Sequence, residues 1–372
     1  MFLNKTIHCY DDARQLAKKR LPWMVFDYID GAAGDGYGDL NNRNQLRDIC
    51  LQPRALNNVE KRNLSVEIFG KKSEFPFGIS PMGMCNLAGP KTDSYFAELS
   101  ALHKMPLGVS TAASTSLETM IELSEGNAWF QLYFSGNEEA SNALIKRAAG
   151  SGYETLILTV DVPEVGRRPR ELRRGFKMPF QIGLPQFIDF ALHPQWSLST
   201  LFQGKPELAN FGGKFGEFDR TSSRAGADWS LLKRIRDEWK GNLVIKGVLD
   251  ARDAMKMKKM GVDAVQVSSH GGRQLASAPA PILALEKIRK AVGKDFPLFY
   301  DSGVRSGEDI VKAYAMGADF VFMGRPFSYA VAASGKRGLR QLSEVFAVET
   351  SITLAQLGLT DIADVNSASL AV

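Results

Sequence analysis

Eight short apolar runs, separated by amphipathic stretches, constrain this chain more than any other feature. The runs are FPFGISP (75–81), MPLGVST (105–111), WFQLYF (129–134), TLILTVD (155–161), NLVIKG (242–247), AVQVSS (264–269), FPLFYDS (296–302) and FVFMGRP (320–326). Each has strand length and is rich in β-branched or aromatic residues. Between them lie DSYFAELSALHK, SLETMIELSE, NEEASNALIKRAAGSG, LDARDAMKMKKMG, APILALEKIRKAVG and SGEDIVKAYAMG. These carry the 3.6-residue period of helices, and several stop at glycine. Strands alternating with helices make parallel βαβ units, and eight of them close a barrel. The sequence therefore predicts a (β/α)8 TIM barrel. A doubly wound open sheet is the alternative; it is weakened because no GxGxxG follows the first strand.

Two segments fall outside the repeat. Residues 1–74 read as an N-terminal helical extension, with LPWMVFDYIDGAAGDG as a helix ending in glycine-rich turns. Residues 162–229 are a long insertion after strand four, basic at GRRPRELRRGFK and aromatic at FIDFALHPQWSLSTLF. Loops of that length are usually functional. The 372 residues are expected to form one domain, since no internal boundary is visible. A net charge of +5 does not argue for nucleic acid. Cys9, Cys50 and Cys85 are too scattered for a disulfide framework or a metal site. The first twenty residues lack the apolar core of a signal peptide, and no run is long enough to span a bilayer. The expectation is a cytoplasmic enzyme without a metal.

In such a barrel the active site lies at the C-terminal ends of the strands. Those ends carry Pro81, Met82 and Gly83; Ser110; Gln131 and Tyr133; Thr159 and Asp161; Lys246; Ser268 and His270; Asp301, Gly303 and Arg305; Gly324 and Arg325. Any one of these alone reads as a satisfied core polar group. Their coincidence at one end of all eight strands points to a site. DSGVRSG and MGRP supply glycines, backbone N–H groups and arginines after strands seven and eight, where barrels bind phosphate. Lys246 lies inside an apolar strand and needs a partner. It is either a structural ion pair or a positive charge beside an electron-accepting ring. His270 has a side chain suited to proton abstraction near neutrality, and Asp161 is a candidate to orient it. Arg273, three residues on, and Arg168 in the insertion are candidates to clamp a carboxylate.

The motifs LPWMVFDY, ISPMGM, WFQLY, LTVDVP, VIKGV, SSHGGRQL, DSGVRSG and MGRP, in this order and spacing, resemble those of the FMN-dependent 2-hydroxy-acid oxidase and dehydrogenase family. Its members act on glycolate, lactate or mandelate. The resemblance implies FMN on the barrel top, with Lys246 by the ring. Pro81, Met82, Gly83, Ser110, Gln131, Thr159 and Ser268 would line the flavin. Asp301, Gly303, Arg305, Gly324 and Arg325 would hold ribityl and phosphate. It implies His270 as base, Asp161 as its partner, and Arg273 and Arg168 on the substrate carboxylate. Tyr28 and Tyr133 would hydrogen-bond substrate carboxylate and hydroxyl.

There are departures. Ser269 stands where many members have Asn, and Ala276 where many have Asp. Ala112 and Gly83 are small where glycolate-specific members are larger, which favours a bulky or aromatic substrate. The electron acceptor, oxygen or quinone, stays open at this level. So does the order in which proton and electrons leave the substrate. Segment 178–215 is a candidate for peripheral contact with the inner membrane face, the alternative being an ordered lid. A homo-oligomer, a tetramer by analogy, is expected. Rival readings are an FMN-barrel isomerase, which needs no carboxylate clamp, and a silent flavin-binding relative, which needs no histidine.

Overall fold

The computed structural model describes residues 6–134, 136–176, 182–204, 206–211 and 223–371. It opens with helices α1 (Tyr10–Arg20), α2 (Trp23–Asp30) and α3 (Tyr37–Arg47). An antiparallel hairpin follows, β1 (Val66–Ile68) and β2 (Lys71–Ser73). The extension is thus helical only as far as Arg47. The hairpin has three-residue strands and charged residues, so it carries no periodicity for a sequence reading to detect.

The eight expected strands all form. They are β3 (Phe77–Met82), β4 (Leu107–Ser110), β5 (Ala128–Tyr133), β6 (Thr155–Thr159), β7 (Asn242–Val248), β8 (Ala264–Val267), β9 (Leu298–Tyr300) and β10 (Phe320–Met323). They close in the order β10-β3-β4-β5-β6-β7-β8-β9, every neighbour parallel. Helices α4 (Thr92–His103), α5 (Leu117–Leu123), α6 (Glu138–Gly150), α10 (Trp229–Glu238), α11 (Ala251–Lys259), α12 (Pro281–Val292), α13 (Gly307–Ala315) and α14 (Arg325–Gln356) surround the barrel. Side-chain caps fix where several begin: Ser116, Asn137, Asp228 and Ser306 each accept a backbone N–H of the first helical turn. The insertion contributes α7 (Pro169–Arg173), α8 (Leu184–Leu192) and α9 (Pro194–Gln203). None of the described helices is long and apolar enough to cross a membrane.

The barrel interior changes character along its axis. Trp129, Ile157, Val244, Ala264, Phe299, Phe320 and Phe322 form one buried apolar layer. Hairpin residue Phe69 packs on Trp129 and Phe299 at 5.6 and 5.7 Å between ring centres and closes the lower end. Each buried phenyl contributes about 1.5–3 kcal/mol. Side chains two residues further along a strand point to the same face. There the layer becomes Gln131, Thr159, Lys246, Gln266 and Asp301, all buried. The period of two therefore carries each strand from an apolar plug to a polar floor, and the site stands on that floor.

Candidate active site

A cavity of about 330 Å³ opens above this floor. Of the residues anticipated from sequence, Tyr28, Pro81, Met82, Gly83, Tyr133, Arg168, Lys246, His270, Arg273, Asp301, Gly303, Arg305, Gly324 and Arg325 line it. Ser110, Gln131, Thr159 and Ser268 are buried below, and Asp161 stands behind the histidine. Sequence reading missed other wall residues, among them Cys85, Leu208, Arg224 and Ser302. Leu208 and Arg224 come from the insertion, whose path no local pattern reveals.

His270 follows β8 with φ +56, in the left-handed region that few non-glycine residues adopt. Such a conformation needs support, and the loop has it. His270 N donates to Ser268 Oγ at 3.0 Å, and Gly271 N to Ser302 Oγ at 3.0 Å. Asn42 Nδ2, from α3, donates to Ser269 Oγ at 2.8 Å, so the hydroxyl at that departure is in use. Gly272, at φ +72, lets the N-terminal segment lie against it: a Cβ there would stand 2.4 Å from Asp39 N. The imidazole sits between Asp161 Oδ1, 3.0 Å from Nδ1, and the Tyr133 hydroxyl, 3.3 Å from Nε2.

Electrostatics divide the protons among these groups. Burial pushes His270 below its usual value, and Asp161 only partly opposes this. Burial also works against the Asp161 charge, but His270 and Lys246 outweigh it and hold the carboxyl below its usual value. At neutral pH the pair is imidazole and carboxylate. Burial pushes the Tyr133 hydroxyl up to about 12, so it stays protonated and can donate. Lys246 is 3.2 Å from Asp301 and donates to Ser268 Oγ at 2.8 Å. Burial disfavours its charge, but Asp301 and Asp161 prevail and raise it.

The basic end is built differently. Arg325 begins α14, yet its donors go to the carbonyls of Ile29, Gly31 and Gly271 and to Asp39 Oδ1. It rivets the N-terminal segment over the mouth while leaving a positive charge there. Arg305 Nη2 lies 3.2 Å from the same Asp39 oxygen. Arg273 Nη1 donates to the carbonyls of Tyr28 and Gly31 at 2.9 and 2.7 Å, and Nη2 to Glu171 at 2.8 Å. Arg168 Nε donates to Arg273 O at 3.1 Å, bringing the insertion onto the same loop.

The floor and the basic end fit FMN. Gln131 Oε1, Gln266 Oε1 and Arg305 Nε are buried with no partner among the described residues. They offer two acceptors and a donor where a polar ring system and its phosphate chain bring the complements. Gly303, Gly324 and the N-terminus of α14 suit the phosphate. No cluster able to hold a metal occurs among the described residues.

A barrel mouth of this kind defines a flavin-dependent oxidoreductase. Comparison narrows the class: a model of the FMN-dependent dehydrogenases matches residues 17–372, and the chain belongs to that family. It is 37% identical over 367 residues to (S)-mandelate dehydrogenase of Pseudomonas putida, covering 97% of this chain and 93% of that protein. It is 34% identical over 370 residues to L-lactate dehydrogenase of Pseudomonas syringae pv. syringae, covering 96% and 97%. The crystal structure of the monotopic membrane protein (S)-mandelate dehydrogenase superposes with a TM-score of 0.94 at 36% identity, covering 98% of this chain and 99% of that one. Mandelate oxidase with (S)-2-phenylpropionate gives 0.82 at 30% identity, covering 96% of each. The chain is thus an FMN-dependent enzyme of the 2-hydroxy-acid dehydrogenase family.

Proposed function

We propose that the chain oxidises an aromatic (S)-2-hydroxy acid of the mandelate type to its 2-oxo acid. The observation that carries this reading is the imidazole held between Asp161 and Tyr133 in a cavity it shares with Lys246, Arg168 and Arg273. Bound FMN supplies the two-electron acceptor. Arg273 and Arg168 hold the substrate carboxylate and so fix its α-carbon over the floor. Neutral His270 takes a substrate proton at Nε2, and Asp161 steadies the imidazolium that results. Tyr133 donates to the substrate oxygen, and Tyr28 closes the carboxylate end. Lys246 supplies positive charge where negative charge collects on reduction. Asp301, Gly303, Gly324 and Arg305 would hold the ribityl chain and phosphate between them, with Arg325 adding positive charge.

Substrate size follows from two small residues facing each other. Gly83 and Ala112 both line the cavity and lie against each other, a Cβ on Gly83 standing 3.1 Å from Ala112 Cβ, so this stretch of wall presents no side chain beyond a methyl group. The similarity to mandelate dehydrogenase supports the same choice. The test is anaerobic mixing with (S)-mandelate, (S)-lactate and glycolate while the flavin absorbance is followed. Mandelate should bleach it fastest; faster bleaching by lactate or glycolate overturns the choice.

The acceptor that reoxidises the enzyme is a quinone met at a membrane surface. Within the described part of 178–215, Leu184, Phe187, Leu201 and Phe202 are 73%, 64%, 75% and 83% exposed. Residues 178–181, 205 and 212–215 of that segment lie outside the described residues. Exposed apolar side chains on adjoining helices suit interfacial insertion, and a similar structure is a monotopic membrane protein. Co-sedimentation with anionic vesicles tests it. Phe187→Glu with Phe202→Glu should abolish binding while leaving anaerobic flavin reduction intact, and retained binding refutes it.

A further inference from the structure

Glu171 lies in the basic run GRRPRELRRGFK, yet the structure buries its side chain to 6% exposure. Helix α7 explains how. Arg170, its neighbour, pairs with Asp27 and, at 2.7 Å, with Asp30; Arg174 reaches Asp27 at 3.0 Å. These pairs pin α7 against α2 and direct Glu171 inward. There its Oε1 accepts from Arg273 Nη2 at 2.8 Å and lies 3.5 Å from Arg168 Nη1. One carboxylate therefore bridges both arginines of the clamp.

The bridge has two physical consequences. Two buried guanidiniums repel each other: burial, and then Arg168, push Arg273 down to about 9, while Glu171 works the other way. With Glu171 ionised the three groups carry one net positive charge, which matches the single carboxylate of a hydroxy acid. The second consequence is orientation. Nη1 of Arg273 gives both its hydrogens to Tyr28 O and Gly31 O, and Nη2 gives one to Glu171. Of the five N–H donors of an arginine, Nε–H and one on Nη2 then remain for a ligand.

We propose that Glu171 is a positioning residue that sets both the net charge and the orientation of the arginine clamp. It keeps binding of the substrate carboxylate loose enough for the oxidised product to leave, and it holds the guanidinium where the α-carbon faces His270. The proposal rests on the reading that Arg168 and Arg273 hold the carboxylate. It predicts that charge and order separate on mutation. In Glu171→Gln the clamp gains a net positive charge, so anions bind more tightly, while Arg273 is less well fixed, so turnover falls.

The experiment uses the FMN-loaded enzyme. Dissociation constants for benzoylformate, a monoanion, and oxalate, a dianion, are read from the flavin spectrum, and kcat and KM are measured for (S)-mandelate. In Glu171→Gln both constants should tighten, that for oxalate by about tenfold and more than that for benzoylformate. The rate of flavin reduction should fall by at least about tenfold. Glu171→Asp keeps the charge but is one methylene shorter. It should leave both constants near wild type while the rate falls. A residue that only supports the fold would weaken anion binding and lower flavin content together in both variants, and that outcome overturns the proposal. Should Glu171→Gln lose flavin, the Asp variant decides: a lowered rate with unchanged anion binding supports the proposal, and parallel loss of both refutes it. Arg273→Met separates the two readings. If it leaves anion binding unchanged, the clamp itself is wrong; if it abolishes binding while Glu171→Gln changes neither constant nor rate, only the role of Glu171 falls.

Discussion

Replacing Asp161 by Asn tests the proton-transfer assignment most directly. The amide nearly preserves shape and removes one charge 3.0 Å from His270 Nδ1. When Nε2 takes a proton, the imidazolium and carboxylate charges lie about 4 Å apart. At an effective dielectric constant of about 20 they attract by about 4 kcal/mol. If half of that charge has developed at the barrier, the loss is about 2 kcal/mol, or about 30-fold; full development gives about 10³-fold. The rate of anaerobic flavin reduction, measured by stopped flow across pH, should fall within that range with flavin content unchanged. The pH profile supplies a second sign. Asp161 raises the His270 pKa against burial, so its removal lowers that pKa further. The acidic limb of the rate profile should therefore move to lower pH while the plateau drops. A plateau within twofold of wild type, or a limb displaced to higher pH, refutes the assignment.

Three further outcomes follow from the same geometry. Lys246→Met leaves the Asp301 carboxylate buried without its 3.2 Å counter-ion, which should cost about 3–5 kcal/mol in urea unfolding; adding Asp301→Asn should recover part of the loss. Ala112→Trp puts an indole into the cavity that Ala112 lines, so reduction by mandelate should be lost while that by lactate survives; equal loss of both shows that the ring lies elsewhere. Burial pushes Asp93, behind the cavity wall at Cys85, up to about 6 from 3.8. Its folded pKa exceeds its unfolded one, so the stabilising contribution is complete below about pH 4 and is lost as pH rises through about 6. Asp93→Asn should then gain up to about 3 kcal/mol relative to wild type between those limits, measured by chemical denaturation at each pH.

The legible part of this molecule is the part written in periodicity. Largely apolar runs of six or seven residues marked the strands, and the polar residues ending them marked the cavity wall and floor. Gln266 shows the limit. It sits mid-run in AVQVSS, two residues past the apolar Ala264 and two before Ser268, on the same face of β8. The period of two places it on the floor, but only a known inward face for the strand turns that period into a prediction. The hairpin was missed for a related reason. It adds Ile68 and Phe69, with Val66 against them, to the lower apolar layer, and a stretch that short leaves no pattern.

Long-range contacts account for the rest. Arg325 reads as a phosphate ligand from MGRP, and it lines the cavity. Its hydrogen bonds, however, go to Ile29, Gly31, Asp39 and Gly271, almost three hundred residues away in the first three cases. The insertion behaves in the same way: a Cβ on Gly166 would stand 2.4 Å from Arg273 O, and Gly34 N donates to Arg167 O at 3.0 Å. Extension, insertion and histidine loop thus interlock in one layer over the barrel mouth. A residue in that layer is defined by what crosses it rather than by its chain neighbours. That is why Glu171, set among arginines that pair with Asp27 and Asp30, is one acidic residue within a basic run in the sequence and a buried counter-ion in the fold. The barrel's repeat positions His270, Lys246 and Asp301 locally, at strand ends. The arginine end of the site, by contrast, has no local encoding: Arg168 and Arg273 meet Glu171, Tyr28 and Gly31 only because three distant segments come together.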